Sequence, residues 1–395
     1  MKWSTVGAFI LIAFLTGCDR TSDVVSAGKQ PTVVSNQISR LDESKQGLFE
    51  GGPEKFQDSG DLTLVNFSDE NHGWIAGRNS LYKTIDAGKT WSPVALNFPE
   101  GAEPTQILFR SASTGWVILQ KDRGAPSDRT QWLMFTSNGG ETWNLQYQAT
   151  QVSAMRVAFY DDQNGWLSGL RYLPGKGVTF THLVLRTSDG GQHWQDVTQD
   201  LVRLTSDRKD TFGDPVNDGD MAIVATGPQA ASVVTASMRI AVTIDGGESW
   251  SEAADLQDGS DRQSGVRRFG IGAAGPWLAG STDSTEGIRS NLIVQQAGNR
   301  WARRALPGFY LSDVLQLSKD EFVACGYIKK FGQNYDEQIE GAILYSRNAG
   351  EEWSVIYRNR EVSTINSLAS ANQRDVWAVG SNGTLISLSR LSDNK

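Results

Sequence analysis

The sequence predicts an all-β fold, a seven-bladed β-propeller with four-stranded blades, in which an N-terminal strand completes the last blade. Three observations lead to this prediction. An octapeptide ending in tryptophan occurs six times, with its tryptophan at positions 91, 143, 194, 250, 301 and 353. These positions are 52, 51, 56, 51 and 52 residues apart. Each interval contains four short β-rich runs separated by turn signals, with almost no helical period, which is typical of a propeller blade.

The first element of the chain is a predicted export signal over residues 1–17. Lys2 precedes an apolar run at residues 6–15, which is too short to span a bilayer and is typical of a cleaved signal peptide. The ending Leu15-Thr16-Gly17-Cys18 resembles the lipobox of bacterial lipoproteins, which implies lipidation of Cys18 after cleavage. An ordinary secretory signal is the alternative.

Residues 18–44 are predicted to be the lipidated cysteine and a flexible linker, because they are polar and lack a sustained apolar period. The propeller is then expected to occupy residues 45–395. Asp19 resembles the signal that retains enterobacterial lipoproteins at the inner membrane. The resemblance implies an exported protein on the periplasmic face of that membrane.

Composition excludes several classes of protein. The 37 Lys and Arg residues are outnumbered by 45 Asp and Glu residues, which argues against a nucleic acid partner. Apart from Cys18 the only cysteine is Cys325, so no disulfide framework is expected and Cys325 is predicted to be a small buried hydrophobe. His72, His182 and His193 lack metal-ligand spacing, and we expect neither a metal nor a cofactor.

The blades share one order of strands. In the first, residues 62–67 lead through a polar turn to a run beginning Gly73-Trp74, and the octapeptide joins a third run to a fourth. The seventh unit begins at Ile365 and ends before a fourth strand. Ring closure predicts that a segment before Leu62 supplies this strand and removes two open sheet edges. Residues 45–50 and 31–38 are the candidates, and we favour 45–50.

The octapeptide at residues 187–194, T-S-D-G-G-Q-H-W, is predicted to be a structural turn, because a chemical centre is normally made once. Glycine supplies a positive φ, Asp or Asn accepts N–H groups of the turn, and tryptophan buries apolar surface between blades or strands. The residues expected to have this role are Asp86, Trp91, Asn138, Trp143, Asp189, Trp194, Asp245, Trp250, Asn348 and Trp353.

The pattern S/T-x-D-x-G-x-T/S-W resembles the Asp-box, or BNR repeat, of sialidase-like propellers. With the seven-fold count, the Gly-Trp of the second strands and the lipobox-like signal, the chain is similar to the photosystem II stability and assembly factor family and its relatives in non-photosynthetic bacteria. The resemblance implies a non-enzymatic propeller that binds membrane-protein precursors during assembly. Its motifs are largely scaffold features, so they carry the fold more strongly than the function.

Sialidases share the repeat, so a carbohydrate-binding or sialidase-like glycoside hydrolase is the alternative function. Their pattern requires an F/Y-R-I-P segment near the first blade, which Phe49-Glu50-Gly51-Gly52 does not supply. An arginine triad for a substrate carboxylate stays open, since arginines are plentiful, and paired carboxylates could serve another glycosidase. We expect a protein without enzymatic activity.

Departures from the repeat indicate the functional face. Because strands alternate in direction, loops between second and third strands and connections between blades emerge opposite the Asp-box turns. Enlargements at residues 121–131, 170–181, 198–220 and 328–340 all fall there, as expected for a binding face. The candidate partner-binding residues are Arg78, Lys121, Arg123, Arg129, Arg171, Tyr172, Lys176, Lys329, Lys330 and Tyr335.

The sequence thus predicts a monomeric, lipid-anchored propeller that binds a polypeptide, as an assembly or scaffolding factor for a membrane or envelope complex. A purely structural envelope protein is a further alternative. For each candidate residue, a solvated loop position without a partner is the competing interpretation.

Overall fold

The computed structural model describes residues 33–42, 49–54, 56, 60–121, 128–173, 179–201, 221–235, 238–256, 265–284, 287–297, 299–331 and 337–391. Within these ranges the chain forms thirty strands in seven sheets. Three N-terminal strands precede the blades: β1 (Val33–Ile38), β2 (Arg40–Asp42) and β3 (Phe49–Pro53).

Blades 1 to 4 each consist of four consecutive strands. Blade 1 has β4 (Leu62–Phe67), β5 (Gly73–Gly77), β6 (Leu81–Thr84) and β7 (Ser92–Pro93). Blade 2 has β8 (Glu103–Phe109), β9 (Gly115–Lys121), β10 (Thr130–Thr136) and β11 (Asn144–Thr150). Blade 3 has β12 (Val152–Phe159), β13 (Gly165–Leu173), β14 (Thr179–Thr187) and β15 (Gln195–Asp196). Blade 4 has β16 (Ala222–Ala225), β17 (Ala231–Val234), β18 (Arg239–Thr243) and β19 (Ser251–Asp255).

Blades 5 to 7 also incorporate the N-terminal strands. Blade 5 has β20 (Gly265–Gly272), β21 (Gly275–Ser284), β22 (Gly287–Gln295) and β23 (Arg300–Pro307). Blade 6 has β24 (Phe309–Gln316), β25 (Phe322–Phe331), β26 (Glu337–Ser346) and β27 (Glu352–Asn359). Blade 7 has β28 (Ile365–Ala369), β29 (Asp375–Gly380) and β30 (Leu385–Arg390). The predicted all-β, seven-bladed propeller is confirmed.

Strand β3 closes the ring. It pairs antiparallel with β30, with Phe49 opposite Arg390 and Pro53 opposite Ile386. The Phe49 ring packs edge-on against Tyr345 of blade 6, with 5.1 Å between ring centroids. The favoured candidate, residues 45–50, thus overlaps the closing strand, which begins at Phe49; residues 43–48 lie outside the described ranges.

Residues 33–42, which we call the N-terminal arm, require a correction. Strand β1 pairs in parallel with β23, and β2 pairs in parallel with β27, so the arm follows the outer edges of blades 5 and 6. The predicted linker therefore does not extend through residue 42. Main-chain hydrogen bonds to an open edge order this segment without the apolar period that a sequence search looks for. Residues 33–38 of the other closing candidate add to blade 5 instead of blade 7.

The core lies between neighbouring blades, and the last of its clusters joins blade 7 to blade 1. In blades 1, 2 and 7, the tryptophan near the start of the second strand packs against the phenylalanine that ends the first strand of the next blade. Ring centroids are 3.5 Å apart for Trp74 and Phe109, and 5.6 Å apart for Trp377 and Phe67 across the closure. A Cβ on Gly73 would lie 2.6 Å from the Phe67 ring, so glycine precedes the tryptophan for steric reasons.

A polar network links the inner strands of four blades. Arg268 of β20 donates two hydrogen bonds to Asp313 of β24, at 2.6 and 2.7 Å. The buried Asp313 carboxylate also accepts the Leu368 N–H at 2.9 Å and the Ser367 hydroxyl at 3.3 Å. Ser367 in turn accepts the N–H of Val65 in blade 1 at 3.4 Å. The network therefore crosses the seam at which the ring closes.

Two sequence predictions concern the compartment and the cysteines. Among the described residues, no helix combines the length and the apolar character needed to cross a bilayer. The predicted signal peptide and Cys18 lie outside the described ranges. Cys325 is buried in β25, and burial raises the pKa of its thiol well above the ordinary value.

Candidate partner-binding face

The propeller has two faces, which the direction of the strands defines. Turns between third and fourth strands, and between first and second strands, lie on one face, which we call the Asp-box face. Loops between second and third strands and the connections between blades lie on the other, which we call the insertion face.

The turn at residues 187–194 is a closed hydrogen-bonded unit. Thr187 Oγ1 accepts the Gly191 N–H at 2.9 Å and donates to Asp189 at 2.8 Å. Asp189 accepts the His193 N–H at 3.0 Å and lies 2.7 Å from Nδ1 of the His193 ring. Burial raises the pKa of Asp189, but these hydrogen bonds outweigh it and lower the pKa to about 2. The carboxylate is thus engaged within the turn and poorly suited to be a general base.

The octapeptides of blades 1, 2, 4 and 6 repeat these bonds. Asp86 and Asp245 accept from the residues four positions on, Thr90 and Ser249, at 2.9 and 3.0 Å. Asparagine serves equally, because its amide oxygen accepts the same backbone N–H: the distances at Asn138 and Asn348 are 3.0 and 2.9 Å.

Burial of the Asp-box tryptophans is uneven, which qualifies the prediction. Those of blades 4 to 6 are buried, whereas those of blades 1 to 3 are half-buried: Trp91, Trp143, Trp194. In blades 1 to 3 the fully buried indoles belong instead to the Gly-Trp pairs of the second strands, at Trp74, Trp116 and Trp166.

The histidines do not form a metal site in the part of the chain that is described. No group of three or more His, Cys, Asp and Glu side chains is placed there to hold a metal ion. His72 and His193 each contact an aspartate of their own turn, and His182 is buried in β14.

The predicted enlargements on the insertion face are in part extended hairpins. Strands β13 and β14 pair as far as Leu173 and Thr179, and β25 and β26 pair as far as Phe331 and Glu337. Blade 5 has an equally long hairpin of β21 and β22, which the sequence analysis missed. Arg123, Lys176 and Tyr335 lie outside the described residues, and the side chain of Lys330 is not described.

Several candidate cations already have partners within the protein. Arg78 lies 3.4 Å from Glu103, and Arg171 lies 3.0 Å from Asp196. Lys121 Nζ donates to the Glu100 carbonyl at 2.5 Å. Arg129, Tyr172 and Lys329 are half-buried. Of the described candidates on blades 1 to 3, two arginines are thus paired with carboxylates, and Lys121 is bonded to a carbonyl oxygen.

A cluster of cations and tyrosines at blades 5 and 6 shares only Lys329 with the predicted site. The exposed Arg267 guanidinium lies 5.5 Å from the ring centroid of Tyr310 and contacts its hydroxyl. Tyr310 stacks on Tyr327, with centroids 4.8 Å apart and planes at 12°. Lys329 follows Tyr327 by two residues, so both side chains lie on one side of β25. We call Arg267, Tyr310, Tyr327 and Lys329 the blade 5–6 cluster.

A weak signal for this cluster was present in the sequence. Arg267 and Arg268 open the first strand of blade 5, and tyrosines lie at the matching ends of β24 and β25. The blade 5 octapeptide, V-Q-Q-A-G-N-R-W, is degenerate, which made the register of that blade difficult to assign.

With this fold and these turns established, comparison with known proteins defines the class. The BNR repeat-like domain family matches residues 29–270, and the chain belongs to this family.

Particular relatives carry assembly-factor names. The chain is 22% identical over 347 residues to the chloroplastic photosystem II stability/assembly factor HCF136 of Arabidopsis thaliana, covering 82% of this chain and 75% of that protein. It is 26% identical over 146 residues to the photosystem II assembly lipoprotein Ycf48 of Synechococcus sp. (strain CC9902), covering 36% of this chain and 38% of that protein.

Solved structures with the same fold include binding proteins and enzymes. A structure described as YCF48 bound to D1 peptide is 16% identical, covers 90% of this chain and all of its own, and has a TM-score of 0.55. The GH74 xyloglucanase of Xanthomonas campestris is 14% identical, covers 87% of this chain and 54% of its own, and has a TM-score of 0.56. At these identities the likeness establishes the fold alone.

Proposed function

We propose that this chain is a non-catalytic propeller that binds a polypeptide and assists the assembly of a membrane or envelope protein complex. The partner binds on the insertion face, and the propeller acts as a monomer. The observation that carries this proposal is the blade 5–6 cluster. An exposed arginine over stacked tyrosines offers apolar area, cation–π contact and directional donors, the combination enriched at interface centres.

The relatives support a binding function. The curated relatives that it matches are named assembly factors, and one solved propeller of this fold is described with a bound peptide. Catalysis has weaker support, because the Asp-box carboxylates are engaged in their own turns.

Charge reversal on the insertion face tests the proposal. The variant Arg267→Glu/Lys329→Glu should capture its partner about tenfold more weakly than the unsubstituted protein, because exposed interface charges govern encounter and specificity. Capture is measured by affinity purification from crosslinked membranes with quantitative mass spectrometry, at equal thermal stability of the variants.

The matched control reverses two exposed lysines on the Asp-box face, Lys89→Glu/Lys319→Glu, with the same change in net charge. Capture by this variant should be unchanged. If capture is weakened only in the control variant, the partner binds on the Asp-box face, and the proposed binding face is wrong. Release of sugars from a glycan panel by the purified protein would favour the glycoside hydrolase alternative.

A lipid anchor at Cys18, on the periplasmic face of the inner membrane, completes the proposal. It is supported by the lipobox-like ending of the signal and by a relative named as a lipoprotein. Cys18→Ser should move the protein from the membrane to the soluble fraction, with no change in the melting temperature of the propeller. Fractionation with and without detergent measures this; an unsubstituted protein that is soluble without detergent would contradict the anchor.

A further inference from the structure

The N-terminal arm covers two Asp-box tryptophans. Val34 is paired with Trp301 of β23, and Leu41 is paired with Trp353 of β27. Each apolar arm residue packs against the interblade cluster that contains its tryptophan, and the two indoles are 2% and 0% exposed. Val34 and Leu41 are seven residues apart. An extended segment whose apolar residues are seven positions apart can therefore cover the octapeptide tryptophans of two consecutive blades.

Where the arm passes from blade 5 to blade 6, it is hydrogen-bonded to the Asp-box turn of blade 6. The Ser39 hydroxyl donates to the Gly350 carbonyl at 2.7 Å, and the Arg40 N–H donates to the Glu351 carbonyl at 3.0 Å. Arg304 of β23 donates to the Ala349 carbonyl and fixes the turn against the outer strand. Strand and turn together form the receptor for an extended chain.

Blades 2 and 3 repeat this receptor. Gln146 lies three residues after Trp143, as Arg304 lies three residues after Trp301. Its side chain donates at 2.8 Å to the carbonyl of Gly190, which has the same place in its octapeptide as Ala349. In the described ranges, β11 is the outermost strand of its sheet, with no equivalent of β1 alongside it. Trp143 and the corresponding tryptophan of blade 3 are half-buried.

The groove beside β11 is suited to an amphipathic chain. It has a volume of about 580 Å³ and is lined by Phe135, Leu145, Gln146 and the turn around Asp189. Leu145 is 54% exposed, an unusual state for a leucine beside a half-buried indole. Asp162 and Asp189 both line the groove, and their two carboxylates favour a cation in the occupant.

A bulge sets the extent of pairing. Strand β11 has a register shift at Gln146, which β23 lacks. Strand β27 has an equivalent register shift at Ile356. The residues before that shift, Glu352–Ser354, still pair with the three residues of β2. Main-chain pairing on β11 should therefore be confined to the residues before Gln146.

We propose that the outer edge of blades 2 and 3 binds an extended segment of a partner polypeptide as an added parallel strand. The segment carries two apolar residues seven positions apart, which cover Trp143 and Trp194, with a serine or threonine and a basic residue between them. Strand addition of this kind uses main-chain bonds for affinity and alternate side chains for specificity. The surface is separate from the insertion face and does not depend on the function proposed there.

A synthetic peptide with the sequence of residues 33–42 is the probe, because it has this pattern. Fluorescence anisotropy with the full chain should show saturable binding, and hydrogen exchange should slow over residues 143–145. Leu145→Glu should weaken binding about tenfold, because it replaces apolar surface of the groove by a charged side chain that would lose its hydration under the peptide. The matched control is Ile244→Glu, which changes a 78% exposed side chain in the blade 4 octapeptide and should bind the peptide normally.

Three results would overturn the proposal. The first is unchanged exchange over residues 143–145 at a peptide concentration of about 1 mM. The second is a change confined to residues 300–307 and 352–354, which would mean that the peptide only replaces the arm. The third is a concentration-dependent dimer that protects residues 143–145 without peptide, which would assign the groove to a second copy of the chain.

Discussion

Gly51→Ala is expected to lower the free energy of unfolding by about 2–4 kcal/mol, because it strains and obstructs the closing strand. Gly51 has a φ of +119°, a conformation that alanine rarely adopts. A Cβ at this position would also overlap the backbone carbonyl oxygen of Ser387 in β30, which cannot rotate away. Urea unfolding followed by circular dichroism measures the loss.

The neighbouring glycine gives the control. No atom lies within 4 Å of a Cβ placed on Gly52, so Gly52→Ala should change stability by less than about 0.5 kcal/mol. Equal effects of the two substitutions would mean that β3 does not pair with β30 in the register observed.

Asp313→Ala is expected to cost about 3–5 kcal/mol, because it removes a buried acceptor that serves three blades. Asp313 is 5% exposed, and its loss leaves the Arg268 guanidinium and the Leu368 N–H without their acceptor. Thermal and urea unfolding of the variant measure the effect.

A double-mutant cycle distinguishes the network from a generally sensitive position. Arg268→Met should cost less than Asp313→Ala, because the Arg268 side chain is 46% exposed and its partner keeps other donors. The double variant should be no less stable than Asp313→Ala alone, since the coupling has already been lost. Additive losses would argue against direct coupling of the pair.

Local structure was predictable where the determining contacts are local. The Asp-box turns of blades 1 to 4 and 6 are held by bonds between residues two to four positions apart, such as those of Thr187 with Asp189 and Gly191. The repeat of this turn at nearly constant spacing predicted the four-stranded blade. The missing fourth strand of the last unit predicted that an N-terminal strand closes the ring. None of these steps required knowledge of a distant contact.

The missed features depend on partners far away in sequence. The Ser39 hydroxyl bonds to a carbonyl 311 residues away, and nothing in a polar N-terminal segment indicates such a partner. Val34 packs against the cluster that contains Trp301, a contact between residues 267 positions apart, so the octapeptide alone could not distinguish buried from half-buried tryptophans. The blade 5–6 cluster likewise combines side chains from three strands of two blades.

The wrapping of the N-terminus around blades 5 to 7 has a consequence for folding kinetics. Val33 finds Arg300, and Phe49 finds Arg390, only after nearly the whole chain is available. Contacts between segments so distant are slow to form, because loop-closure entropy is lost before they contribute stability. During synthesis or export from the N-terminus, the first segments to emerge are therefore the last to dock. Until then, the outer edges of three blades are open templates for strands of other chains.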